Sequence, residues 1–275
     1  MEQQLQAVTK LPLLATIAGA YRTTFAQLGA FGLVAAVWGA LVFVALFAVH
    51  WLVWSPPEKF GVGSAVLQFA TILPSALIGA SAAVVWHRFV LRDEAVSVGR
   101  VFRVDGAVLR YAGMVLALLL VSILAGSILV VAMIVPMQTF ASALSLNIEP
   151  SFFETPLATL LGLPALCLVL APIALVAVRL MLRLPAIAVE DRGVMLHDVW
   201  QTTRGNSWRL YIGSLATIAP TQVGMLVGDL GAEDRLTASL SSAAVELIWL
   251  VAGLIFVTFM SLAYRHFFAA ASSSA

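Results

Sequence analysis

The sequence predicts an all-α integral membrane protein, on two observations: the composition and the length of the apolar runs. The chain has 275 residues, of which 61% are apolar and 11% are charged, and its mean hydropathy is +1.01. A soluble domain carries about 25% charged residues. This chain therefore has too little charge to coat a surface in water. Its apolar runs are continuous and do not alternate, which favours spanning helices over the strands of a barrel.

Six apolar runs reach the length of about 20 residues that a membrane-spanning helix needs. Polar residues and proline interrupt the second run (Gln68, Pro74) and the fifth (Pro220, Gln222). Proline inside a span is tolerated where neighbouring groups satisfy the freed carbonyl, and it predicts kinks. The predicted spans are 28–54, 63–86, 111–137, 156–178, 210–228 and 240–264. They form one membrane domain (28–267), which follows an N-terminal interfacial helix (1–27) and precedes a C-terminal tail (268–275).

The basic residues predict the orientation of these spans. Thirteen of the fifteen Lys and Arg residues fall on one side of the predicted membrane, and only Lys59 and Arg235 fall on the other. Segments rich in Lys and Arg stay in the cytoplasm. Both termini and the two long connections are therefore predicted to be cytoplasmic, and the six spans form three helical hairpins.

The two long cytoplasmic connections have the pattern of amphipathic helices. Over residues 92–110, four arginines fall on one arc of a helical wheel and apolar side chains fall on the opposite arc. In the second connection one face carries Leu196, Val199, Trp200 and Thr203, and Gly205-Asn206 is suited to end that helix. Both patterns predict interfacial helices that rest an apolar face at headgroup level and offer arginines to anionic lipid.

One stretch resembles a known family. The chain reads LPAIAVEDRG at 184–193 and WQTTRGNSWRL at 200–210. With Pro185, Glu190 and Thr203-Arg204-Gly205, this stretch of about 27 residues is similar to a phrase of a broad bacterial superfamily of six-helix inner-membrane proteins. That superfamily includes the membrane domain fused to some glycerophosphodiester phosphodiesterases. The resemblance implies a six-helix architecture and a bacterial inner membrane. It implies no catalytic residues, and the chain contains no phosphodiesterase domain.

Polar residues inside the predicted spans form the first candidate site. Glu246 lies about six residues into the last span, where an unpaired carboxylate is costly. One hypothesis makes it a proton- or cation-coupled site or a contact for a lipid amine. The other is that it lies close enough to the outer surface to reach the headgroups or to hydrogen-bond the loop. Gln68 and Gln222 lie near the proline kinks of the second and fifth spans. They either line a cavity, as in transporters with broken helices, or hydrogen-bond between helices.

The second candidate site is cytoplasmic. It comprises Glu190, Arg192, Arg204, Trp208 and Arg209. One hypothesis makes these residues a binding site for a lipid headgroup or a partner protein. The other, which we favour, is that Glu190 pairs with an arginine and fixes the interfacial helix to the bundle, while Trp208 anchors the next span.

Motifs of catalysis are missing from the sequence, which has no HExxH, no GxSxG, no Walker loop and no dinucleotide fingerprint. We therefore expect no enzyme activity, no cofactor, no metal site and no nucleic-acid partner. The sequence favours a membrane module that binds anionic headgroups, or another membrane or cytoplasmic protein, through its arginine-rich cytoplasmic helices. The alternative is a small-molecule or ion transporter that uses a polar cavity with Glu246.

Overall fold

Helices occur at each apolar run that the structure covers. The computed structural model describes residues 10–53, 62–143, 156–221 and 235–269, and within them side chains over 10–41, 44, 77–132, 168–221, 244–245 and 247–268. These residues contain no strand. Their helices are α1 (Leu13–Ala26), α2 (Leu28–Val53), α3 (Val62–Arg92), α4 (Val98–Val101), α5 (Gly106–Ala143), α6 (Pro156–Met181), α7 (Arg183–Ala188), α8 (Leu196–Thr202), α9 (Ser207–Ile218) and α10 (Arg235–Tyr264), which continues as a π-helical turn (Arg265–Ala269).

Three of the described helical stretches are long and apolar enough to cross a membrane: Gly106–Ala132, Leu168–Ala188 and Leu247–Phe268. A fourth candidate is the bent pair Leu13–Ala26 and Leu28–Leu41, whose two halves meet at 79°. The all-helical membrane character is thereby confirmed. Of the fifth predicted span, residues 222–228 lie outside the described residues.

The helix α10 forms the centre of the fold, and α5 lies at its periphery. In the span at the end of α10, 61% of the apolar window is buried inside the protein, compared with 6% for that of α5. The helices α1, α2, α3 and α9 all pack on α10. Ile255, Phe259 and Met260 are its largest fully buried side chains. The exposed apolar surface of α5 is what a helix surrounded by lipid tails presents.

The single helix predicted over residues 92–110 is wrong. Asp93 has a left-handed backbone (φ 53°), which ends α3. Asp105 Oδ1 then accepts the N–H groups of Ala107 and Val108, each at 3.0 Å, and so caps the start of α5. Only the four residues of α4 are helical between these two signals. The arginines on the predicted arc therefore belong to different elements.

The helix predicted in the second connection is confirmed as α8. It ends at Thr202, and Gly205 has the left-handed backbone (φ 77°) that suits glycine. Its predicted apolar face is only partly inward. Val199 and Thr203 are fully buried, whereas Leu196 and Trp200 are 45% and 39% exposed.

The helix α1 packs closely against the bundle. The hydroxyl of Thr24 lies 2.9 Å from that of Thr258 on α10, and Tyr21 Oη donates to the carbonyl of Ala216 on α9 at 2.8 Å. Its other face is exposed and includes Leu14, which is 81% accessible. Of the N-terminal interfacial helix predicted over residues 1–27, the part from 13 to 26 is helical, and its position at the membrane surface stays a prediction.

Candidate functional site: the arginine layer

The arginine layer is the end of the bundle formed by residues 10–12, 88–110, 179–210 and 264–268. Its centre is the C-terminus of α7. Asp191 N–H donates to the carbonyl of Ala186 at 2.8 Å, and Glu190 N–H donates to that of Ile187 at 3.1 Å. With Glu190 at φ 55°, these bonds form a Schellman motif. Glycine is usual at this position, because a left-handed backbone costs other residues about 1–2 kcal/mol.

Two arginines of α3 satisfy the last carbonyls of this turn. Arg88 Nε donates to the carbonyl of Ala188 at 2.8 Å, and Arg92 donates to that of Val189. The final carbonyls of a helix have no partner inside the helix. The guanidinium groups of α3 thus replace water there and fix α7, whose side chains are mostly buried, against the bundle.

Glu190 forms an ion pair with two arginines. Its Oε1 lies 3.7 Å from Arg88 and 3.7 Å from Arg110, and Arg88 also lies 3.5 Å from Asp105. The predicted pairing of Glu190 with an arginine is therefore observed. Glu190 and Arg110 are more than half exposed, so each contact contributes at most about 1 kcal/mol.

Asp105 is the acid of this layer with a clearly shifted pKa. Desolvation acts to raise the pKa of its carboxyl group, but the N–H groups of Val108 and Ala107 and the charges of Arg88 and Arg103 together outweigh it. The pKa therefore lies below its ordinary value. The carboxylate therefore stays ionised next to Arg88. It serves as both the cap of α5 and the counter-ion of α3.

Another arginine, Arg179, joins α6 to α8. Arg179 Nε donates to Thr203 Oγ1 at 2.9 Å, and its guanidinium also donates to the carbonyl of Trp200. The guanidinium carbon lies 3.6 Å from the ring centroid of Trp200, which is a cation–π geometry. Thr203 in turn donates to the carbonyl of Val199 at 2.7 Å. The Thr203 of the recognised phrase is thus a buried connector.

The N-terminal segment is held by the same part of the chain. Leu11 is fully buried; its N–H donates to Asn206 Oδ1 at 2.9 Å, and its carbonyl accepts from Arg209 at 2.6 Å. Residues at the start of α9 thus satisfy both the N–H and the carbonyl of Leu11. Of the predicted cytoplasmic site, Arg209 therefore acts within the fold.

The remaining predicted residues of this site face outward. Arg192 and Arg204 are exposed and form no hydrogen bond or ion pair with the residues that the structure describes. Trp208 is 53% exposed and contacts Tyr211 edge to face, with ring centroids 5.8 Å apart. The structure therefore divides the predicted site: Glu190 and Arg209 are tied to the fold, while Arg192, Arg204 and Trp208 are available to a ligand.

A small polar pocket of about 100 Å³ opens in the same layer, between α3, α4 and α5. Arg100 and Glu94 pair at 3.2 Å on its wall, and Arg103 lines it without a hydrogen bond from its guanidinium to the described residues. No group of three His, Cys, Asp or Glu side chains that could hold a metal ion occurs in the described parts of the chain.

Sequence reasoning missed a buried polar network between α3, α5 and α10. His87 is buried; its Nδ1 lies 2.7 Å from Ser261 Oγ, and its Nε2 lies 3.2 Å from Tyr111 Oη. Next to it, Trp86 Nε1 donates to Thr258 Oγ1 at 2.7 Å. The signal in the sequence was the pair Thr258 and Ser261, three residues apart in an apolar helix. Both side chains are buried, and their contact joins α3 to α10.

The intramembrane candidate site lies outside the described side chains. Glu246 and Gln68 belong to the described backbones of α10 and α3, and Gln222 lies outside the described residues. Closer to the arginine layer, α2, α3, α5 and α10 surround an apolar cavity of about 360 Å³.

The fold and the layer define a class: an all-helical membrane protein whose spans are joined by arginine-to-carbonyl bonds. Comparisons of the chain with protein-family models, with curated proteins and with solved structures found no match. The resemblance of residues 184–210 to the bacterial six-helix superfamily stays a prediction.

Proposed function

We propose that this chain is a non-enzymatic, six-span protein of the bacterial inner membrane that binds anionic lipid at its arginine layer. The observation that carries the proposal is the division of the arginines. Arg88, Arg92, Arg179 and Arg209 donate to partners within the protein, whereas Arg192 and Arg204 remain exposed in the same layer. Arginines beside a membrane attract anionic headgroups with about 1 kcal/mol each.

Contacts within the arginine layer support the three hairpins. Leu11 contacts Asn206, Arg88 contacts Ala188, and Tyr264 Oη donates to Asp191 Oδ2 at 2.6 Å. The chain is therefore in the same layer before α2, after α3, after α6 and after α10. Three hairpins require the chain to be in one layer at these points, and this agreement supports the proposal. Thirteen of the fifteen basic residues then lie on the cytoplasmic side.

Lipid binding is tested by native mass spectrometry of the purified protein titrated with phosphatidylglycerol or phosphatidylcholine. We expect phosphatidylglycerol to bind more tightly. The double variant Arg192→Gln/Arg204→Gln loses about 2 kcal/mol, which is roughly 30-fold in affinity. The matched control is Lys59→Gln/Arg235→Gln, which removes the same charge from the predicted opposite face and leaves the affinity unchanged. The proposal would be overturned if the wild type bound both lipids equally, or if both double variants lost the same affinity for phosphatidylglycerol.

The six-span topology has its own test, by labelling single cysteines in intact cells with a membrane-impermeant maleimide. In a Cys167→Ser background, Ser97→Cys is expected to stay unlabelled until the cells are opened, because it lies in the first cytoplasmic connection. Ser55→Cys, in the first predicted outer loop, is expected to be labelled at once. Labelling of Ser97→Cys in intact cells would contradict the orientation.

Transport through a polar cavity with Glu246 remains the alternative hypothesis. The cavity described between α2, α3, α5 and α10 is apolar, which does not favour passage of a polar solute. Glu246→Gln in reconstituted vesicles tests this alternative. A proton or cation flux that the wild type supports and the variant loses would establish transport.

A further inference from the structure

In the proposed topology, the polar pocket between α3, α4 and α5 lies at the cytoplasmic boundary of the membrane. Its walls come from the end of α3 and from the first turn of α5, where the apolar stretch Gly106–Ala132 begins. Its volume of about 100 Å³ is that of about three water molecules in the liquid. The charged side chains that line it are Arg88, Glu94, Arg100, Arg103 and Asp105. The pocket therefore suits a compact charged group.

Two of the three arginines have their counter-ions within the protein. Arg88 Nη1 lies 3.5 Å from Asp105, and its Nη2 lies 3.7 Å from Glu190. Arg100 Nη1 lies 3.2 Å from Glu94. Both acids of the pocket are thus paired with these two arginines, and neither acid is left to balance the third.

Arg103 supplies the unbalanced charge. Its guanidinium forms no hydrogen bond or salt bridge with the residues that the structure describes, but its backbone is held in place. The buried Ser81 Oγ lies 2.5 Å from the carbonyl oxygen of Val101 and 3.3 Å from that of Arg103. Asp105 already accepts the N–H groups at the start of α5. The guanidinium groups of Arg100 and Arg103 are therefore the donors that remain for an anion.

Exposed apolar side chains stand next to this arginine. Phe102 and Val104 precede and follow Arg103 in the sequence, and Leu109 lies in the first turn of α5. All three are more than half exposed. Apolar side chains beside a basic one are typical of a segment that lies in the membrane interface. A soluble phosphate needs no such surface, so these neighbours favour the phosphate of a lipid.

We propose that this pocket binds the phosphodiester group of one anionic phospholipid. Arg103 and Arg100 donate to its oxygens, while Phe102 and Val104 lie against its acyl chains. The single negative charge of a phosphodiester balances the single excess positive charge of the lining, and arginine is suited to bind two phosphate oxygens at once. The inference rests on the proposed lipid function and names a phosphate site for it, but it uses neither Arg192 nor Arg204.

Replacement by lysine separates this pocket from general attraction of anionic lipid. Arg103→Lys keeps the charge but loses the planar fork that binds two oxygens, so a binding pocket is weakened and a merely attractive surface is not. The matched control is Arg265→Lys. Arg265 is also exposed in the arginine layer, but it does not line the pocket. Neither guanidinium is bonded to the described residues, so both variants should fold.

The first experiment measures which arginines of the full-length protein in detergent react with phenylglyoxal, by peptide mass spectrometry. This reagent modifies accessible guanidinium groups. Phosphatidylglycerol is expected to protect Arg103 and to leave Arg265 reactive. Phosphatidylcholine and inorganic phosphate at the same concentration are expected to protect neither. Lack of protection of Arg103 by phosphatidylglycerol would overturn the inference, and so would equal protection by inorganic phosphate, which would show a site for a soluble anion.

The second experiment measures affinity for phosphatidylglycerol by native mass spectrometry. Arg103→Lys is expected to weaken binding of the first lipid roughly tenfold, and Arg103→Gln roughly 10- to 100-fold, because hydrogen bonds to a charged group are lost. Arg265→Lys should change the affinity by less than about twofold. Equal affinities of Arg103→Lys and Arg265→Lys would contradict the pocket.

Failure of the pocket is distinguishable from failure of the lipid function. The double variant Arg192→Gln/Arg204→Gln is expected to keep the protection of Arg103. If the wild type prefers phosphatidylglycerol and Arg103 stays reactive, the pocket proposal is wrong and the lipid function holds. If the wild type binds phosphatidylglycerol no better than phosphatidylcholine, the lipid function itself is wrong.

Discussion

The contact between α9 and α10 leaves no room for a side chain at Gly213. Gly213 is buried, and a methyl group added there would lie 2.2 Å from Cζ of Phe259, against the 3.4–4 Å of ordinary van der Waals contact. Phe259 is fully buried, so its ring cannot swing into solvent or lipid. Small residues at helix contacts allow this close approach in membranes. Gly213→Ala therefore forces α9 and α10 apart.

The expected magnitude is a balance of two terms. Overpacking of a filled core costs about 1–3 kcal/mol. Replacing glycine by alanine within a helix returns up to about 1 kcal/mol. The 2.2 Å approach to Phe259 places the cost in the upper part of its range, so the net loss is about 1–2 kcal/mol. At 2–4 °C per kcal/mol, this loss corresponds to an apparent Tm lowered by roughly 2–8 °C. Thermal unfolding of the detergent-solubilised protein, followed by the fraction that stays monodisperse, measures this shift.

Gly113→Ala is the matched control for this prediction. The added methyl meets no atom within 4 Å, and the residue lies in the middle of an exposed helical face. Only the helix-propensity term acts there, so Tm should stay level or rise. Phe259→Leu combined with Gly213→Ala should be less destabilising than the two single changes added together. A Gly213→Ala protein as stable as the wild type would show that α9 and α10 are not in this contact.

Three further predictions concern the arginine layer. Arg179→Lys loses the hydrogen bond to Thr203 and the stacking on Trp200, and should lower stability by about 1–3 kcal/mol in the same unfolding assay. The control Arg204→Lys should change stability by less than about 0.5 kcal/mol. The pKa of Asp105 is lowered in the folded protein. Its contribution to stability is therefore present above the ordinary pKa of 3.8 and is lost as the pH falls through the lower folded pKa. In Asp105→Asn, stability should depend less steeply on pH in this acid range. Asn206→Ala leaves the N–H of Leu11 without its acceptor, and should increase proteolysis near residue 11 without changing lipid binding.

Hydropathy predicted the helices because their length and composition are set by the bilayer. The first predicted span, 28–54, corresponds to Leu28–Val53, and the fourth, 156–178, to Pro156–Met181. Periodicity failed at residues 92–110, where two aspartates decide the local backbone. Asp93 ends one helix and Asp105 starts the next. A helical wheel averages over such residues and does not detect a cap.

Contacts between residues that are far apart along the chain could not be predicted from the sequence. An arginine at a membrane boundary is common, so nothing about Arg179 indicated that it would stack on Trp200. Nothing in the sequence near His87 indicated that it would be buried, because its partners Ser261 and Tyr111 are remote along the chain.

The two hydrogen bonds that hold the backbone of Leu11 have a consequence for biosynthesis. Its two partners, Asn206 and Arg209, are separated from it by 195 and 198 residues, so they leave the ribosome long after it does. At 5–20 residues per second, the delay is about 10–40 s. Throughout that time the N-terminal helix has neither its anchor nor Thr258 of α10 to bind. The helix α1 therefore docks only after α9 and α10 have been made.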